Sequence, residues 1–105
     1  MGYNLIVSEK ADEHIDNLVG YLINKLKNNQ AASSFLDEIE EVYGRLEENP
    51  YQFPISRDKY LSSQGYHEAH FEKMSYHLVF RIADEKVFIV GVFHDLEDYA
   101  NKVFE

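Results

Sequence analysis

Residues 75–93 read SYHLVFRIADEKVFIVGVF, and this stretch decides the fold. In its first half Tyr76, Leu78, Phe80 and Ile82 alternate with His77, Val79 and Arg81. That is the period-two pattern of a strand with one face buried. The second half, Lys86 to Phe93, is the most apolar run of the chain and is rich in β-branched and aromatic residues. Asp84-Glu85 separates the two runs, so the stretch predicts a β-hairpin with a two-residue turn.

Working outward, Tyr66 to Phe71 reads as a further strand, and residues 51–65, with Pro54 and Gly65, read as a loop. Upstream lie two amphipathic helices. In the first, Ala11, Ile15, Leu18, Leu22 and Leu26 recur every three or four positions and share one face. Ser8 stands ready to cap it, because its hydroxyl can accept from a free amide of the first turn. Glu9, Asp12 and Glu13 add negative charge at the positive end of the helix dipole. Asn28-Asn29 ends this helix and can cap the next, which is expected from about Gln30 to Glu48. Its stripe is Ala31 or Ala32, Phe35, Ile39, Val42 and Leu46, with Tyr43 at the edge, and Asn49-Pro50 stops it.

Each helix has one apolar face, so a further layer must cover the pair. Tyr3 to Val7 supplies a short N-terminal strand, and Leu96, Tyr99, Ala100 and Val103 suggest a closing helix from about Leu96 to Phe104. The expected fold class is α+β: an N-terminal strand, then an α-helical hairpin packed on a twisted antiparallel sheet, then a short C-terminal helix. All 105 residues form one domain.

Composition narrows the function classes. Hydrophobic residues make up 45% of the chain, enough for a real core. No apolar run approaches the roughly 20 residues of a membrane helix. With no cysteine and no export signal at the start, the expectation is a cytoplasmic protein without disulfide or thiolate chemistry. The net charge of −9 argues against binding free nucleic acid. The acid is unevenly spread: residues 51–83 carry Asp58, Glu68 and Glu72 against Arg57, Lys59, Lys73 and Arg81, and hold three of the five histidines.

Five segments in order carry a family resemblance: Val7-Ser8-Glu9-Lys10-Ala11 opening the first helix, Phe35-Leu36-Asp37 within the second, and Leu46-Glu47-Glu48-Asn49-Pro50 closing it. Tyr76-His77-Leu78-Val79-Phe80-Arg81-Ile82 and Ile89-Val90-Gly91-Val92-Phe93-His94-Asp95 follow on the hairpin. In this order and spacing the chain resembles the RelE/ParE toxins of bacterial type II toxin–antitoxin systems, over nearly its whole length. The resemblance implies a cognate antitoxin as partner. It implies inhibition of translation by ribosome-associated mRNA cleavage, with inhibition of DNA gyrase as the alternative. His77 stands where many relatives have arginine, and Leu96-Glu97-Asp98 stands where many have an arginine pair. A non-catalytic relative that only binds an antitoxin therefore stays open as a third reading.

Cleaving RNA through its own 2′-hydroxyl takes a base, a cation at the phosphate and an acid, with no cofactor. The candidate catalytic residues are His94, Arg81, His77 and Tyr76; Lys73, Arg57 and His67 are candidates for substrate binding. Histidine suits proton transfer near neutrality. Arg81 and His77, four apart on one strand, share a face, and that face is expected to be open while the helices cover the other. His94 ends the last strand, and its bland role is to order the turn that follows. Glu68 could act as a base but reads more simply as a solvated strand residue, and His14 reads as a surface residue. Tyr51, Phe53 and Tyr60 are read as closing the end of the helical hairpin or, less simply, as stacking on bases. No two histidines stand four apart on one helix, and no metal site is expected.

Overall fold

The structure is a computed structural model that describes residues 2–103; Phe104, the end of the expected tail helix, lies outside them. The elements are β1 (Asn4–Val7), α1 (Glu9–Gly20), a π-helical turn (Tyr21–Lys25) and α2 (Asn29–Glu48). After a 3₁₀ turn (Pro50–Gln52) come α3 (Lys59–Ser63), β2 (Tyr66–His70), β3 (Tyr76–Ala83), β4 (Lys86–His94) and α4 (Tyr99–Lys102). Among the described residues no helix is long and apolar enough to cross a membrane.

Both expected helix caps form. Ser8 Oγ accepts from the Ala11 amide at 3.0 Å, and Asn28 Oδ1 accepts from the Ala31 amide at 3.0 Å. The first helix departs from its expected stripe at the π-helical turn, where Leu26 N–H bonds Tyr21 O. The wider turn advances the phase by one residue. Leu22 stays buried, while Leu26 rotates out and is 53% exposed.

The sheet order is β1-β4-β3-β2. The β2–β3 and β3–β4 pairs are antiparallel as expected, but β1 runs parallel to β4, so the sheet is mixed rather than wholly antiparallel. A parallel neighbour needs a long crossover, and everything between β1 and β4 supplies it. Asp84 takes the left-handed conformation the tight hairpin turn requires, with φ 56°.

A bulge in β4 sets which residues face the helices. Val79 pairs with Gly91 and Phe80 with Ile89, leaving Val90 as the extra residue. The bulge shifts the alternation, so Val87, Ile89 and Val92 all reach the main core despite a spacing of two and then three. There they meet Phe35, Ile39, Val42 and Leu46 of α2 and Leu78 and Phe80 of β3, with Ile15 and Leu18 packed at the margin. Glu38 of α2 is also buried, because its Oε1 accepts from the amides of Glu72 and Lys73 in the β2–β3 turn at 2.8 and 2.9 Å.

The second face of the sheet is not open. Residues 51–65 are more ordered than a plain loop: Asp58 caps α3 through a 2.9 Å bond from the Leu61 amide, and Leu61 is fully buried. Ser56 of this segment bonds Glu68 of β2, and Tyr99 after β4 lies against His77 and Phe93; Val79, His77 and Phe93 are each 1% exposed or less. Leu96, expected on the apolar side of the tail helix, is instead 90% exposed, and the helix begins only at Tyr99.

Candidate functional site

On that second face strand alternation brings Glu68 and His70 of β2 beside His77 of β3. His70 and His77 are cross-strand partners, and their rings stack with centroids 4.9 Å apart. Asp95, just past β4, is anchored by a 2.9 Å bond from its amide to Ser75 O. From there its Oδ1 lies 2.8 Å from His77 Nδ1 and 3.5 Å from His70 Nδ1. A carboxylate only accepts, so His77 donates from Nδ1, and its buried Nε2 has no hydrogen-bond partner among the described residues.

Glu68 is the hub of the cluster at 1% exposure. Its Oε2 accepts from Ser56 Oγ and from the Tyr99 hydroxyl, both at 2.5 Å, and its Oε1 accepts from His70 Nε2 at 2.9 Å. Burial works to raise its pKa, but the bonds from Ser56, Tyr99 and His70 outweigh burial and hold it at about 2. Burial, together with the Glu68 carboxylate beside it, pushes the Tyr99 hydroxyl up to about 12. Burial lowers the His77 pKa, a loss that its bond to Asp95 only partly offsets.

The sequence-derived candidates fall in different places. Tyr76 is in the main core, edge-on to Phe35 at 5.2 Å, and His94 lies edge-on to Tyr76 at 5.2 Å. His94 Nδ1 accepts from the Leu96 amide and its own amide donates to Glu97, so this residue shapes the turn into the tail. His67 stacks on Phe80 and donates from Nδ1 to Phe53 O at 3.0 Å. Phe53 is buried under Arg45 and closes the helical hairpin, whereas Tyr51 and Tyr60 are exposed. Lys73 is exposed in the β2–β3 turn.

Of the seven, Arg57 and His77 alone reach the Glu68 cluster, Arg57 with its Nε 3.7 Å from Glu68 Oε1. Arg81 is exposed and pairs with Phe88, while His94 pairs with Tyr76 at the other end of β3. Five residues of strand, about 16 Å, separate those two positions. His14 is half-buried rather than on the surface: its ring meets Phe93 edge-on at 4.9 Å, and burial lowers its pKa.

Sequence reasoning gave no role here to His70, Asp95 or Tyr99, and it read as solvated a Glu68 that is in fact 1% exposed. The Glu68–His70 spacing of two was the available signal, since it puts both on one face of β2. Chemically the cluster is two carboxylates holding two imidazoles. The shallow groove beside it is lined by Arg57, Asp58, Glu97, Asp98 and Tyr99, three carboxylates against one guanidinium. Such a lining repels a phosphate more than it attracts one.

Three comparisons place the chain among known proteins. Residues 5–99 match the family described as the ParE toxin of the type II toxin–antitoxin system, parDE. No curated protein is similar enough in sequence to match. Among solved structures, a chain of the chromosomal ParDE toxin–antitoxin system from P. aeruginosa superposes with a TM-score of 0.70. Its identity is 17%, over 88% of this chain and 95% of that one. A chain of the RelBE toxin–antitoxin complex from Mycobacterium tuberculosis gives 0.58 at 20% identity, over 90% and 99% of the two chains. A double mutant of the E. coli toxin RelE in the free state gives 0.57 at 18%, over 99% and 92%. These likenesses show the fold, and with a family match over residues 5–99 the chain belongs to the ParE toxins of type II toxin–antitoxin systems.

Proposed function

We propose that this toxin acts by binding a protein target, DNA gyrase in the manner that resemblance to ParE implies, and that an antitoxin neutralises it. The carrying observation is the separation of the residues that RNA cleavage needs together: Arg81 lies toward one end of β3, while His94 of β4 pairs with Tyr76 at the other. The acidic groove beside the buried cluster and the chain's charge of −9 point the same way, because both disfavour a polyanionic substrate. The antitoxin reading draws support from the P. aeruginosa and M. tuberculosis relatives, which come from toxin–antitoxin systems. The solvent side of α2, with Asp37, Glu40, Glu41, Glu47 and Glu48 exposed, suits basic residues on such a partner.

Ribosome-associated mRNA cleavage is the second reading, and the exposed Arg81 guanidinium is what favours it. The experiment is expression of the chain alone in a bacterial host, followed by plasmid supercoiling and amino-acid incorporation in the first minutes. Early loss of negative supercoiling with incorporation still intact supports the gyrase reading. Early loss of incorporation with supercoiling intact supports mRNA cleavage instead.

A further inference from the structure

We propose that His70, His77 and Asp95 form a binding site for one divalent ion of the zinc class, which fastens the segment after β4 to the sheet. The donor atoms lie close together: each histidine offers a nitrogen and Asp95 an oxygen, all within 4.8 Å of one another. His77 Nδ1 and His70 Nδ1 lie 2.8 and 3.5 Å from the same Asp95 oxygen. Ligand atoms about 2.0–2.1 Å from a tetrahedral zinc ion are about 3.3 Å apart, so both spacings to Asp95 are near the required value, and binding turns the stacked rings until each Nδ1 faces the ion.

The surroundings of His70 are those of a metal ligand. Its Nε2 faces Glu68 Oε1 at 2.9 Å, and since that carboxylate only accepts, Nε2 carries a proton. The lone pair of a neutral His70 ring then sits on Nδ1, pointing at the Asp95 oxygen, which is also rich in lone pairs. Two such atoms 3.5 Å apart leave a place for a cation between them, a proton or a metal ion. A carboxylate behind the far nitrogen of a ligating histidine is the usual support of a zinc site, because it fixes the ring and raises its basicity. Glu68 is itself fixed by Ser56 and Tyr99.

The site is also reachable. The side chains of His70 and Asp95 are 34% and 32% exposed, while that of His77 is sealed at 0%. An ion can therefore enter from the solvent side and keep a water as its fourth ligand. On binding, the proton that His77 shares with Asp95 leaves Nδ1, and the ring is reprotonated at Nε2. That nitrogen has no acceptor among the described residues, so His77 is the costliest of the three ligands. Two imidazoles with one carboxylate fit zinc better than calcium or magnesium, which prefer oxygen.

The test uses the full chain, stripped with a chelator and titrated with Zn²⁺ alone against a chromophoric competitor, with Co²⁺ as a spectroscopic substitute. The expected result is one Zn²⁺ per chain, a rise in melting temperature, and the intense visible absorption of four-coordinate Co²⁺. His70→Gln and Asp95→Asn act on half-exposed side chains and keep the fold by circular dichroism, and each should weaken Zn²⁺ by at least about 10–100-fold. Glu68→Gln should weaken it within that same range, and His14→Gln should leave it unchanged. Absence of stoichiometric binding would overturn the proposal, as would binding that survives both His70→Gln and Asp95→Asn. None of these readouts depends on toxicity, so either result leaves the question of the cellular target where it stands.

Discussion

The Tyr99 hydroxyl donates to the buried Glu68 carboxylate across 2.5 Å, joining residues 31 positions apart. This bond ties the last helix to β2 and closes the second face of the sheet. Tyr99 also lays its ring edge-on against His77, with centroids 4.3 Å apart. Removing the hydroxyl leaves the Glu68 charge short of one donor in a buried place. Tyr99→Phe should therefore cost about 1–3 kcal/mol by urea denaturation. It should also speed amide exchange in residues 95–103; unchanged stability and exchange would mean that the tail is not fastened through Glu68.

Acid sensitivity follows from the same carboxylate. The folded pKa of Glu68, about 2, lies below its ordinary 4.5, so the unfolded chain takes up the proton first. Its contribution is complete above about pH 4.5 and is lost as the pH falls toward 2. At full size it is on the order of 3 kcal/mol. The lowered His77 pKa has the same sign, and its loss begins at higher pH, as the solution falls below the ordinary 6.5. Tyr99 has the opposite sign: its contribution is present below pH 10 and disappears as the pH rises through about 12. Urea melts from pH 7 down to pH 3 should show a steeper decline for the wild type than for Glu68→Gln. Parallel declines would contradict this assignment.

The π-helical turn makes two leucines of one apparent stripe unequal. Leu22→Ala should cost about 2–5 kcal/mol, since Leu22 is 3% exposed in the main core. Leu26→Ala should cost within about 0.5 kcal/mol, as surface changes do. Equal losses would mean that the first helix continues regularly through Leu26.

Gly91 is held to glycine by crowding. A Cβ there would stand 2.6 Å from two ring atoms of Phe93 and 3.0 Å from His14 Nδ1. Phe93 is 1% exposed and cannot swing away. Gly91→Ala should destabilise the protein by about 1–3 kcal/mol through this overpacking, read as a lower melting temperature.

Most of the fold was legible because local physics wrote it. Alternation from Tyr76 to Ile82, the Asp84-Glu85 turn, the caps at Ser8 and Asn28 and the stop at Asn49-Pro50 each act over a few residues. What escaped depends on contacts distant in sequence. The parallel β1–β4 pairing, the bulge at Val90 and the turn that frees Leu26 leave no short-range mark. Glu68 read as solvated because nothing in β2 announces that Ser56 and Tyr99 will cover it. His77 and Arg81 do share a strand face, but the segments that seal His77 stop short of Arg81. The covering layer, rather than the strand, decides which of them solvent reaches.

A toxin that works through a protein target needs no RNA-cleaving residues. The most direct measurement is growth arrest on expression of the Arg81→Ala/His94→Ala double variant beside the wild type, with labelled amino-acid incorporation followed in the same cultures. Full arrest by the variant is expected, with incorporation that declines only after growth slows. Prompt loss of incorporation with fragmented mRNA in the wild type, abolished in the double variant, would contradict a protein target.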